Sequence, residues 1–189
     1  MSGRGRFVVL EGGEASGKTT QAALLARRLD AVLTREPGGT LVGERLRSLV
    51  LDPAVGAVDP RAETLMLLAA RAQHVAEVVA PALRAGRDVV CDRYSGSTLA
   101  YQGAGRGLDL RELRNLSRWA AAGVEPDAVI LLTVPAAVAA ERRRGRADEA
   151  DRIEELDETF FKRVDEGFAA LAAGNASTWR VVDGAGAVD

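Results

Sequence analysis

The sequence contains one cysteine, Cys91, and one histidine, His74, in 189 residues. A single cysteine excludes an intramolecular disulfide. Its place in the apolar run Val89-Val90-Cys91 marks it as a small core side chain. One cysteine and one histidine make no zinc-type cluster. Aromatic residues are only 4% of the chain while hydrophobic residues reach 47%, so the core must be built from alanine, valine and leucine. Basic charge is not in excess either: 25 Lys and Arg stand against 27 Asp and Glu, a formal net charge of −2. That excludes a general nucleic-acid or membrane-surface binder. The longest apolar stretch, near 129–140, contains Thr133 and Pro135 and is too short to span a bilayer. The first apolar run is too short for a secretion signal. A cytoplasmic protein is the expectation.

Against these absences stands Gly12-Gly13-Glu14-Ala15-Ser16-Gly17-Lys18-Thr19, which fits G-x-x-x-x-G-K-[ST]. It follows the apolar run Phe7–Leu10 and precedes a helix-compatible run from Thr20 to Leu29. Glycines let successive backbone N–H groups turn around a polyphosphate, and the helix N-terminus adds its positive dipole end. Lys18 is placed to reach the outer phosphates and Thr19 to ligate Mg²⁺. A nucleoside triphosphate is the expected ligand. The guanine-reading Asn-Lys-x-Asp of a nucleotide switch is missing, since neither Asn115 nor Asn175 precedes a lysine.

Two further stretches bear on the chemistry. Arg87-Asp88-Val89-Val90-Cys91-Asp92 is an apolar strand ending in an acid, which predicts Asp92 beside the phosphate loop and near Mg²⁺. Glu141-Arg142-Arg143-Arg144-Gly145-Arg146 is dense in positive charge. By itself such a run is a solvated helix end. Beside a phosphate loop it suits a lid that neutralises a moving phosphoryl group and excludes water.

Taken in order, the pattern predicts strands at 7–10, 31–34, 87–92, 128–134 and 180–183. It predicts helices at 18–30, 40–51, 60–85, 110–122, 135–143 and 153–173, and a short one through Gln102. Gly103–Gly107 reads as a loop, and Pro81 as a kink near the end of the long helix. Alternation of strands and helices predicts an α/β three-layer sandwich with a mainly parallel five-stranded sheet, with ligands at the carboxyl ends of its strands. One domain is expected, with a lid near 142–152.

Several stretches together resemble the thymidylate kinases. They are Glu11–Thr20, Thr34-Arg35-Glu36-Pro37-Gly38-Gly39-Thr40, Ala70-Arg71-Ala72-Gln73-His74, Asp92-Arg93-Tyr94 through Ala100-Tyr101-Gln102-Gly103, and Asp151-Arg152-Ile153-Glu154. The resemblance implies a P-loop nucleoside monophosphate kinase that moves the γ-phosphoryl of ATP to dTMP, giving dTDP, with Mg²⁺. At matching positions it implies Glu14 near the sugar 3′-hydroxyl, and Arg35 and Arg93 on the acceptor phosphate and transferring group. It implies Arg71 and Gln102 on the thymine edge, Ser97 and Thr98 along that pocket, Tyr101 near C2′, and Glu154 by the lid and acceptor site. The family carries its catalytic arginine in the phosphate loop or on the lid. Ala15 occupies the loop position, so the resemblance is to the lid-arginine, bacterial type, with Arg142, Arg143 and Arg146 as catalytic candidates beside Lys18 and Arg93. A phenylalanine usually stacks on thymine where this sequence has Leu67, and members usually continue into a terminal helix where this one stops at Asp189. A kinase for another nucleotide or nucleoside, and an inactive nucleotide-binding module, are the alternatives. His74 reads as a packed or interfacial side chain. Apolar residues around much of the 60–85 helix suggest a partner surface, and the resemblance implies a homodimer there.

Overall fold

The computed structural model describes residues 3–144 and 151–186. Its strands are β1 (Phe7–Glu11), β2 (Val32–Arg35), β3 (Val89–Asp92), β4 (Ala128–Thr133) and β5 (Trp179–Asp183). They form one sheet in the order β2-β3-β1-β4-β5, and every neighbouring pair is parallel. The sheet is therefore wholly parallel among the described residues, beyond the "mainly parallel" expectation. β1 sits between β3 and β4, which explains its apolar run. Phe7 and Val9 face a cluster with Val75, Val79, Leu83, Val89 and Cys91 on one side of the sheet. Leu10 packs with Ala22, Ala26 and Val90 on the other. A strand covered on both faces reads as continuous hydrophobicity rather than alternation.

The helices are α1 (Lys18–Leu29), α2 (Leu41–Leu51), α3 (Pro60–His74), α4 (Ala80–Arg84), α5 (Ser95–Thr98), α6 (Leu110–Ala120), α7 (Ala136–Arg144) and α8 (Glu158–Gly174). Thr40 caps α2, its side chain accepting from Gly43 N at 2.9 Å. The long predicted helix is present as α3, a π-helical turn at Val75–Val79, and α4. Pro81 offers no N–H to its preceding turn, and the wide turn lies just before it, so the run widens there.

Two expectations are corrected. Gly103–Gly105 belongs to a π-helical continuation of α5, Leu99–Gly105, rather than to a loop. Residues 151–156 form turns and the last long helix starts at Glu158, not 153. The Asp151 carboxylate accepts from Ile153 N and Glu154 N, both at 2.9 Å, and so caps only the short turn at 152–155. The Asp157 side chain then caps α8 through Phe160 N at 2.7 Å.

Candidate active site

Because all the described strands run the same way, their carboxyl ends gather Glu11, Arg35 and Asp92 along one edge of the sheet. The loop from Gly12 to Gly17 leaves β1 there and delivers Lys18 to the start of α1. Gly12 has φ 145°, and a Cβ on it would lie 2.3 Å from the Leu132 carbonyl oxygen. Gly17, at φ 92°, turns the chain into the helix. Ala15 takes the left-handed conformation too, at φ 56°, and its side chain is small.

Lys18 is 6% exposed, and its Nζ donates to the Gly13 carbonyl at 2.6 Å and to Ser16 Oγ at 3.2 Å. Burial, reinforced by the nearby Arg93 charge, brings its ammonium down to about 8. One residue on, Thr19 Oγ1 donates to Asp92 Oδ2 at 2.6 Å. The other oxygen, Asp92 Oδ1, is buried without a hydrogen-bond partner among the described residues. A hydroxyl beside an orphaned carboxylate oxygen, at the mouth of a phosphate loop, fits a divalent cation that takes its remaining ligands from phosphate and water. No cluster of three or more acidic, histidine or cysteine ligands is found among the described residues. A Mg²⁺ held mainly by substrate does not need one.

Arg93 follows Asp92 with φ 69°, a conformation that costs a non-glycine residue about 1–3 kcal/mol and recurs at functional positions. Its guanidinium donates to the Gly12 carbonyl at 2.9 Å, to Ser97 Oγ and Tyr101 Oη at 3.2 Å each, and to the Glu14 carboxylate. It also lies 5.1 Å from the Tyr101 ring centroid. Tyr101 Oη donates to Glu14 Oε1 at 2.6 Å. Burial alone would lower the Arg93 pKa, but Glu14 and its other neighbours hold it above the usual value, so it stays charged.

Beside this junction a cavity is lined by Glu14, Leu67, Arg71, Arg93, Ser97, Thr98, Tyr101 and Gln102. Every residue expected at the acceptor base and sugar is thus on one wall or another. Arg71 is buried and fixed on several sides. Nε donates to Glu36 Oε2 at 2.7 Å, Nη2 to Thr98 Oγ1 at 3.1 Å and Nη1 to Ser117 Oγ at 3.4 Å. His74 is fully buried, bridging Glu36 Oε1 at 2.9 Å and Thr34 Oγ1 at 2.6 Å, in keeping with a packing part. Arg35 does not line the cavity; it is about half exposed and pairs with Glu44 at 2.9 Å.

Of the lid residues, Arg142 lines a second cavity with Ala15, Gly17, Gln21 and Gly184. It donates to the Ala15 carbonyl at 3.3 Å, and the lining of this cavity is separate from that of the acceptor cavity. Arg143 lies 5.7 Å from the Phe161 ring centroid on α8. Arg146 lies outside the described residues, as does most of the expected lid. Glu154 is half-buried in the 151–156 turns and does not line the acceptor cavity.

Sequence reasoning gave no part to Glu11, Glu36 or Glu63. Glu11 is fully buried and accepts from Tyr94 N and Ser97 N at 3.0 Å and from Ser97 Oγ at 2.6 Å, which fixes the turn carrying Arg93. Its burial raises its pKa to about 7. An acid at the end of an all-apolar strand was the available signal for it.

A family profile described as thymidylate kinase matches residues 10–189. A thymidylate kinase of Pelotomaculum thermopropionicum is 49% identical over 185 residues, covering 95% of this chain and 86% of that protein. One from Deinococcus radiodurans is 46% identical, covering 95% and 89%. Among solved structures, the crystal structure of thymidylate kinase from Ehrlichia chaffeensis superposes with a TM-score of 0.79 at 33% identity, covering 95% of this chain and 91% of that one. Phosphate loop, acidic strand end, paired cavities and relatives agree, and the chain belongs to the thymidylate kinase family.

Proposed function

We propose that this enzyme transfers the γ-phosphoryl group of ATP to dTMP and releases dTDP and ADP. The observation that carries the reading is the position of Arg93: its guanidinium bonds the phosphate loop at Gly12 and, at the same time, Glu14 and Tyr101 on the wall of the acceptor cavity. A cation shared by both sites lies where a phosphoryl group passes between them. ATP lies along Gly12–Thr19, with its nucleoside in the cavity lined by Arg142 and Gln21. Lys18 leaves the Gly13 carbonyl for the outer phosphates. Thr19 and Asp92 would hold Mg²⁺, which would spread the phosphate charge when bound. The acceptor phosphate is an anion at neutral pH, so no general base is needed. Arg35, Arg142, Arg143 and Arg146 supply further positive charge, the last three from a lid near 142–152 of a single kinase domain.

Arg71 and Gln102 read the base, Ser97 and Thr98 support them, and Leu67 gives the ring an apolar face without aromatic stacking. Tyr101, braced by Glu14, crowds the sugar where a ribose would carry its extra hydroxyl. A homodimer forms through the α3 region, supported by Leu65, Leu116 and Trp119, which are 58%, 40% and 81% exposed on neighbouring helices α3 and α6.

The test is ADP release from Mg-ATP with dTMP, dUMP, dCMP or thymidine as acceptor. Turnover should be led by dTMP. Turnover led by another acceptor would overturn the assignment of substrate, and no turnover with any would overturn the kinase reading.

A further inference from the structure

Glu63 has no part in the transfer set out above, yet it is a carboxylate with no exposure to solvent. It lies one turn before Leu67 on α3 and has three partners. Gln102 Nε2 donates to Oε1 at 3.0 Å. Arg106 donates to both oxygens, at 3.3 and 2.9 Å. Arg152 Nη2 donates to Oε2 at 2.6 Å and, through Nε, to the Val50 carbonyl at 2.7 Å. Burial by itself would raise the Glu63 pKa, but the bonds from Arg106, Arg152 and Gln102 prevail and hold it below the usual value. The carboxylate is therefore ionised and can only accept.

That fixes the direction of the Gln102 amide. Its NH₂ group must face Glu63, so its carbonyl oxygen is the end left over. Gln102 lines the acceptor cavity, and its Oε1 has no partner among the described residues. Arg71, on the same cavity, has only donors to offer. The cavity thus presents a donor and an acceptor to the edge of a base.

We propose that Glu63, clamped by Arg106 and Arg152, is a positioning residue for base selection: it locks the Gln102 carbonyl oxygen toward the acceptor cavity. The inference rests on the dTMP reading and deepens it. A pyrimidine with a ring N–H next to a carbonyl matches both groups. Cytosine, with a ring lone pair next to an amino group, opposes both.

Glu63→Gln tests it in the full-length protein. Glutamine can turn either an oxygen or an amide toward Gln102, so the lock is lost while the shape is kept. The readouts are kcat/KM for dTMP and for dCMP with Mg-ATP, together with the melting temperature. The dTMP-to-dCMP ratio should fall by about tenfold or more, chiefly through a higher KM for dTMP. A purely structural role would lower the melting temperature and the active fraction but scale both substrates alike. A folded Glu63→Gln with an unchanged ratio overturns the inference and leaves the dTMP reading standing. Should that variant be recovered unfolded, Arg106→Met removes the less buried arm of the clamp, 18% exposed against 9% for Arg152. Its ratio should also fall, and an unchanged ratio overturns the inference equally. Unaltered protein that does not favour dTMP over dCMP would overturn the substrate reading, and this inference with it.

Discussion

Lys18 meets two demands that pull against each other. In the proposed reaction it must be charged to draw phosphate, yet its side chain is buried, and burial brings its pKa to about 8. Because kcat/KM for ATP reports the free enzyme, it should decline above about pH 8 as Lys18 loses its proton. Lys18→Arg should carry that decline to higher pH even though the changed reach lowers the rate. A descending limb that does not move would assign it to another group. The sign for stability follows from the same depression. The unfolded chain titrates near 10.5 and the fold near 8, so the unliganded fold gains stability from this group as pH rises from 8 to 10.5, and bears its cost below 8. The placement of Lys18, Thr19 and Asp92 beside one another was legible in the sequence because it follows from motif spacing and from the end of a strand. Glu63 was not. Its partners lie 39, 43 and 89 residues away, and an acid near the start of a helix looks like any other first-turn charge.

The contact between α8 and the π-helical segment Leu99–Gly105 sets the wall that carries Tyr101 and Gln102. It is close because glycines line it. A Cβ on Gly167 would stand 2.7 Å from Ala104 Cβ and 3.4 Å from Ala100 Cα. Gly167→Ala should therefore push the two elements apart and cost about 1–3 kcal/mol. Thermal melting would register that as a loss of roughly 2–4 °C per kcal/mol for a chain of this size. Gly174→Ala, at the end of the same helix with nothing within 4 Å of its Cβ, should melt close to the unaltered protein. Equal melting of the two would place the tight contact elsewhere. The same packing explains why Gly103–Gly105 reads as a loop in sequence. Glycines that usually end a helix here let one lie against another, a tertiary cause with no local signature. The strands posed no such difficulty, since burial on both faces leaves an apolar run that the chain displays directly.

At the scale of the whole molecule, the parallel sheet puts both cavities near the carboxyl ends of its strands and leaves the helices α3 and α6 on a flank with Leu65, Leu116 and Trp119 facing outward. A second copy covering that flank would remove them from water. Sedimentation equilibrium at micromolar concentration should give twice the 19.9 kDa of one chain. Trp119→Glu with Leu65→Glu should return it to one, since a charge in a closed apolar interface has no partner. A single-chain mass for the unaltered protein would reject the dimer. The order of elements, and the edge of the sheet at which the cavities open, followed from alternation alone. The outward face was legible only as an excess of apolar residues around the 60–85 stretch, because nothing in a single chain says what lies against it.

The clamp on Glu63 has a consequence for how such a sequence can drift. Its members sit at 63, 102, 106 and 152, on three separate stretches of chain, and two of the links are ionic, to arginines that are 18% and 9% exposed. Losing the carboxylate strands two positive charges in the interior, and losing one arginine weakens what keeps that carboxylate ionised. Exchange at any one of these positions therefore costs stability while the other three are kept, and is expected to be better tolerated when its partners change with it.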